Sequence, residues 1–287
     1  MAAQSHPIER FEAPASIQTG VPLKEIINTQ LVDLIAESFE PVYAAFDTAR
    51  FQSTAKEGLL DLEFKARAAH IADALQTELP PDFEKSAELL VRSFGPELKA
   101  TKDNGRQPFF YLPHAELIGR HGASGHDFFE AGMRANYELT KRFTAEFSIR
   151  SYLVAQRDRC LDRLQRWTAD SNPHVRRLVS EGTRPRLPWA MRLKAIDAEP
   201  ALILPLLERL KDDPELYVRR SVANHLGDIG KAHLPVLLNT CRDWLEESRK
   251  MEDPQRAKHR RWVIRHALRH PAKKGHVEAL ALRAEAA

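Results

Sequence analysis

Three acidic residues stand at helical spacing from arginines. Glu146 precedes Arg150 by one turn, Glu181 follows Arg177 by one turn, and Asp228 ends a row that begins at Arg220 and passes through Asn224. Residues i and i+4 share a helix face, so each segment sets a carboxylate near a guanidinium. As isolated surface ion pairs such rows contribute only about 0–1 kcal/mol each. The residues after Glu181 suggest more. The run Gly182-Thr183-Arg184-Pro185-Arg186-Leu187-Pro188-Trp189 holds two arginines and an indole on a loop that two prolines stiffen. A loop built this way presents a side chain. Carboxylates lining a basic cleft can orient or deprotonate a water molecule, and they stabilise positive charge that develops in a reaction.

The elements that must carry these rows are helices arranged as a repeat. Apolar residues recur at three- and four-residue spacing in Leu23–Phe39, Leu59–Leu79, Phe83–Phe94, Phe128–Leu139, Phe147–Leu153 and Leu161–Trp167, the pattern of amphipathic helices. No alternating runs flank tight turns as strands would. Pro80-Pro81-Asp82 marks a break and a helix start, Ser124 and Asp127 have capping-box spacing, and Gly95–Gly125 reads as a linker with one short helix. Residues 1–20 read as a disordered segment, followed by one domain over 21–287, divided into N-terminal helices and linker (21–125) and functional repeats (126–287). Within the latter, Asp170-Ser-Asn-Pro-His-Val-Arg176-Arg177, Asp213-Pro-Glu-Leu-Tyr-Val-Arg219-Arg220 and the weaker Asp253-Pro254 with Val263-Ile264-Arg265 share one pattern. The last arginine recurs at intervals of 43 and 45 residues, the period of a HEAT-like solenoid of paired helices. The fold expected is therefore all-α, with Asp and Pro ending one helix and starting the next, Val packing inward, and the paired arginines emerging on the surface.

Charge is unevenly spread. The chain has 43 Lys+Arg and 40 Asp+Glu, yet residues 1–140 hold 13 against 21 and residues 141–287 hold 30 against 19. A basic half suits a polyanionic partner. With 43% apolar residues the chain builds a core, so global disorder is excluded. No apolar run approaches the ~20 residues of a membrane span, and Met1–Arg10 has no apolar signal core, so no membrane partner and a cytoplasmic location are expected. Cys160 and Cys241 are too few for a disulfide framework or a four-thiolate zinc site and read as core filler. His266 and His270 have the spacing of two metal ligands, but basic neighbours and the want of a third ligand argue for no metal.

The run Asn172–Trp189 (NPHVRRLVSEGTRPRLPW) resembles the hallmark of the AlkC family of DNA alkylation repair glycosylases, as does Tyr217–Ile229 (YVRRSVANHLGDI). Leu139–Arg150 (LTKRFTAEFSIR) is similar to the family's preceding helix, and the resemblance covers about 139–230. It implies a C-shaped clamp of HEAT-like repeats that binds double-stranded DNA and excises cationic N3-alkylated bases, chiefly 3-methyladenine and 3-methylcytosine, in base excision repair. It also implies a bent duplex and a nucleotide worked on while stacked, rather than one flipped into a pocket. No strand-rich tail follows the third repeat, so the short form without an immunoglobulin-like domain is expected. The family's active-site positions fall on Glu146, Arg177, Glu181, Trp189 and Asp228. The expected roles are catalytic for Glu146, Glu181 and Asp228, with Trp189 against the lesion and Arg177 on a phosphate or carboxylate. Arg150, Arg176, Arg184, Arg186, Arg219, Arg220, Arg261 and Arg265 are expected DNA contacts that fix register without reading sequence, within a basic stretch that extends over Lys258–Arg269. The enzyme would need no cofactor and no obligate protein partner and would act as a monomer, nucleoid-associated when bound to DNA. No lysine is expected in the site, which favours simple hydrolysis over Schiff-base lyase chemistry. Two other readings are a HEAT-like protein that binds unusual DNA structure without catalysis, which would lack the carboxylate rows, and a protein-binding scaffold, which would carry a hydrophobic groove.

Overall fold

The helical periodicities are realised in a computed structural model that describes residues 5–16, 18–122, 124 and 128–287. Among the described residues there is no strand, and no helix is long and apolar enough to cross a membrane. The chain divides into two compact units, 1–156 and 157–287.

The first unit contains α1 (Thr29–Phe39), α2 (Thr48–Lys56), α3 (Phe64–Glu78), α4 (Phe83–Arg92), α5 (Leu112–Gly122), α6 (Phe129–Thr140) and α7 (Ile149–Ala155). The run Leu23–Phe39 is broken because Asn28 turns extended and its Oδ1 accepts from the Leu31 N–H at 3.0 Å, capping α1. Helix α3 packs on α2 and α5, α4 on α6, and α5 also on α6 and α7. Two expectations change here. The segment read as a linker with one short helix contains α5, which runs three turns and whose Pro113 lies in the first turn, where no N–H is needed. Pro7–Arg10, within the segment read as disordered, forms a 3₁₀ turn with Ile8 and Phe11 buried, and the Phe11 ring meets Phe110 edge-on at 5.9 Å. Of the Ser124–Asp127 capping pair, Asp127 lies outside the described residues, while Ser124 Oγ donates to the His121 carbonyl at 2.8 Å.

The second unit contains α8 (Arg157–Trp167), α9 (Pro173–Gly182), α10 (Lys194–Ala198), α11 (Leu204–Leu210), α12 (Leu216–Ile229), α13 (Leu234–Arg249), α14 (Pro254–Ala267), α15 (Arg269–Lys273) and α16 (Val277–Glu285). Helices α8 and α9, α11 and α12, and α13 and α14 pack as consecutive pairs, while α12 lies between α9 and α14. This is the repeat architecture the motif period predicts. Pro173 and Pro254 open α9 and α14 behind capping Asn172 and Asp253. Pro214 instead precedes α12 by two residues, and Asp213 Oδ1 accepts from the Glu215 N–H at 2.9 Å. Val175, Val218 and Val263 are fully buried, as are Cys160 and Cys241, whose thiols burial pushes up. Gly227 lets α12 approach α14 closely, since a Cβ there would lie 3.2 Å from the Ala267 carbonyl oxygen.

Candidate active site

Helices α9 and α12 end side by side, each with an acidic residue in its last turn. Glu181 and Asp228 are both buried. Arg184, just beyond α9, joins them: its Nη1 donates to Glu181 Oε1 at 2.6 Å, and its Nε and Nη2 reach Asp228 Oδ2 at 2.8 and 2.6 Å. Glu181 Oε1 also faces Arg177 Nη2 at 3.3 Å, and its Oε2 accepts from the Ser221 hydroxyl at 2.6 Å. Asp228 Oδ1 pairs with Lys231 Nζ at 2.7 Å. The two carboxylates are thus held by one planar fork, and all four of their oxygens face a donor.

Electrostatics favour the ionised state. Burial alone would raise the Glu181 carboxyl, but Arg177 and Arg184 with the Ser221 hydrogen bond outweigh it and hold the group at about 2. Burial likewise opposes the Arg184 charge, and the two carboxylates overcome it and raise this guanidinium above its ordinary value. Beneath the cluster His225 is fully buried, and burial followed by the Arg184 charge brings it down to about 3, so it is uncharged. Arg177 also lies over the Tyr217 ring at 5.4 Å, which fixes it beside Glu181.

The loop after Arg184 exposes Trp189, which keeps 59% of its accessible surface. Its φ of 62° lies in the left-handed region, unfavourable for a bulky residue. A strained backbone carrying an exposed indole fits a side chain held out for contact.

Not every predicted residue serves this site. Arg176 is consumed by Asp213, which accepts from its Nε at 2.6 Å and its Nη2 at 3.0 Å, while Arg176 Nη1 bonds the Asp170 and Ser171 carbonyls. Arg219 is buried and donates to the Asp213 and Pro214 carbonyls. The first arginine of each pair therefore turns inward, Arg176 tying α9 to the turn before α12 and Arg219 bracing the start of its own helix. Arg150 is fully buried in the first unit, out of reach of a phosphate. Arg184 bridges carboxylates instead of standing free for DNA, Arg186 lies 3.3 Å from Asp197, and Arg265 donates to the Ala286 carbonyl. Arg220 is exposed and Arg261 half-buried. In the first unit Glu146 occupies the turn leading into α7, where its Oε2 accepts from Thr144 Oγ1 at 2.8 Å. Among the described residues no cluster of three or more His, Cys, Asp or Glu is arranged to hold a metal ion. His266 stacks on Trp262 at 4.8 Å.

Sequence reading missed two members of the cluster. Lys231 stands one turn after Asp228, so a lysine does occupy the site, and its i,i+3 spacing was the available signal. Ser221 carried none, since its contact spans 40 residues.

Paired helices stacked at a period in the forties, with an inward cluster at adjacent helix ends, define a HEAT-like repeat protein. The chain is 38% identical to the Pseudomonas fluorescens alkylpurine DNA glycosylase AlkC, solved bound to DNA containing an abasic site analog. That match has a TM-score of 0.79 and covers 92% of this chain and 68% of the other. It is also 33% identical over 261 residues to the uncharacterized protein YhaZ of Bacillus subtilis (strain 168), covering 91% of this chain and 67% of that protein. No family model matches the chain. The chain belongs to the AlkC family.

Proposed function

We propose that this protein is a DNA glycosylase of alkylation repair that hydrolyses the N-glycosidic bond of cationic N3-alkylated bases, 3-methyladenine and 3-methylcytosine. The observation that carries the reading is the buried Glu181–Arg184–Asp228 bridge, in a chain 38% identical to an alkylpurine glycosylase.

The chemistry suits the groups. A base methylated at N3 carries positive charge and leaves readily, and its departure builds oxocarbenium character on the sugar. A fixed carboxylate stabilises that transition state more than the ground state. In this reading Asp228 faces the sugar and Glu181 supports it, one of them orienting the attacking water. Arg184 aligns both carboxylates and helps to keep Glu181 charged. Trp189 packs its indole against the lesion nucleotide, where a cation favours the aromatic face. Glu146 takes a catalytic role on the family pattern alone. Hydrolysis needs no cofactor. Lys231 is engaged with Asp228 through its Nζ, and in this reading base release leaves an intact abasic site. The protein works on double-stranded DNA as a cytoplasmic monomer.

The test is incubation with DNA methylated at N3 of adenine and cytosine, followed by assay of free base and alkali-labile sites. Release by the wild type, lost in Asp228→Asn and in Glu146→Gln, is expected. No release by the wild type overturns the enzymatic reading in favour of a non-catalytic DNA-binding protein. Undiminished release by the variants overturns the assigned roles, and a borohydride-trapped adduct absent from Lys231→Ala overturns simple hydrolysis.

A further inference from the structure

One turn before Asp228, the α12 row continues into a second polar cluster made with α14 and α15. Asn224 Oδ1 accepts from Arg269 Nη2 at 2.8 Å and lies 3.1 Å from His266 Nε2. Arg269 Nη1 donates to the His266 carbonyl at 2.7 Å. The His266 ring is stacked on Trp262, with planes 12° apart, so the platform under Arg269 is fixed. Arg220 and Arg269 are both exposed, and among the described residues neither makes an ion pair.

That last point separates them from their neighbours. Arg176, Arg184, Arg256 and Arg260 are each matched to Asp or Glu, which cancels their charge locally. Arg269 is instead held by an amide oxygen and a carbonyl oxygen. Its orientation is set in advance, burial lowers its guanidinium while the Asp228 charge opposes that, and a guanidinium with five N–H donors has others left to give. Positive charge gathers here, since burial followed by Arg269, Arg220 and Arg283 brings His266 down to about 4. A rigid arginine fork outside any ion pair matches a phosphate geometrically.

We propose that Arg269, held by Asn224 and the His266 carbonyl, together with Arg220, clamps a backbone phosphate of DNA beside the nucleotide that faces Asp228. The inference rests on the reading of the chain as a DNA-acting protein. Its role is to fix the register of the strand, leaving the carboxylates to act on the sugar.

The experiment measures equilibrium binding of the full chain to duplexes carrying an abasic analogue, with neutral methylphosphonates replacing the flanking phosphates one at a time. Arg269→Ala should weaken binding about 10-fold and reduce the slope of log affinity against log salt by about one. One methylphosphonate position should cost the wild type a similar factor and cost Arg269→Ala nothing further. Asn224→Asp, which offers the guanidinium a carboxylate, should reproduce the loss with the arginine still present. Binding by Arg269→Ala within two-fold of the wild type, or unchanged methylphosphonate penalties at every position, overturns the clamp. Because only binding is scored, the coupled penalty can stand in a protein that releases no base, and base release without it removes the clamp alone.

Discussion

Helices α9 and α12 carry two arginine–carboxylate clusters, one at their beginnings and one at their ends, and the two are built to different rules. At the beginnings, Arg176 meets Asp213 in a bidentate pair and Arg219 caps backbone carbonyls next to it. Here the ion pair is matched one to one, both partners are nearly sealed, and the remaining donors go to main-chain oxygens. At the ends, Glu181 and Asp228 share Arg184 while Arg177 and Lys231 approach from the sides, three cations to two carboxylates. The Lys231 side chain there keeps 45% of its accessible surface. The same residue types thus serve stacking in one place and leave a charged, partly open cluster in the other. The difference lies in stoichiometry and access.

The largest effect is expected where the first cluster is opened. Asp213→Ala leaves the half-buried Arg176 guanidinium without its carboxylate, a loss approaching the roughly 3–5 kcal/mol of a fully buried pair. Thermal unfolding should shift down by roughly 10 °C or more. A shift of a degree or two would show that the junction does not hold the repeats together.

Opening the second cluster should cost function rather than stability. Asp228→Asn keeps acceptor oxygen and shape for Arg184 but removes the negative charge proposed to face the sugar. Base release should fall by about 10²–10³-fold, the scale of losing one electrostatic group from a catalytic site. Unfolding temperature should stay within a few degrees of the wild type. Activity retained with a large stability loss would make the two clusters alike.

How much of this contrast was visible beforehand depends on the residue. The period of Arg177 and Arg220 revealed α9 and α12, and one-turn spacing placed Glu181 and Asp228 on rows. The division of labour within each pair of adjacent arginines was not legible. Neighbouring positions on a helix lie about 100° apart, and which side meets the next repeat depends on stacking. Arg184 was unreadable for the same reason: its link to Asp228 spans 44 residues and exists only because α9 and α12 end together. The full length of α5 was hidden by Pro113 and Gly119, residues that break helices elsewhere. Yet the proline sits in the first turn, and the glycine faces Ser148 so closely that a Cβ would lie 3.2 Å from its Cα.

Acid separates buried charge from buried neutrality. Glu181, held at about 2, keeps its charge until well below pH 4, so its contribution is present above its ordinary pKa and is lost only as pH falls toward 2. His114 in the first unit and His225 in the second are brought by burial to about 3, below their unfolded value of about 6.5. Unfolded chains then bind more protons than folded ones, and stability falls as pH drops below about 6.5. Each histidine costs about 1.4 kcal/mol per pH unit until about 3. Denaturant unfolding between pH 7 and pH 5 should show this decline, reduced in His114→Phe, a change that suits a ring lying among Phe39, Phe94 and Phe110. A flat profile over that window would mean that the buried imidazoles find protons or partners in the folded state.

The smallest effect is the most diagnostic of what the second cluster is for. Trp189 adopts a φ of 62°, a conformation glycine takes freely and an indole does not, and its side chain is mostly exposed. Trp189→Gly should leave the fold unharmed or more stable by about 1 kcal/mol, read as a small rise in unfolding temperature. Base release should fall at the same time, because the surface against the lesion nucleotide is gone. Stability and activity moving in opposite directions would mark the loop as a strained element kept for contact with a ligand. A loss of both would place Trp189 with Arg176 and Asp213, among the residues that hold the repeats in register.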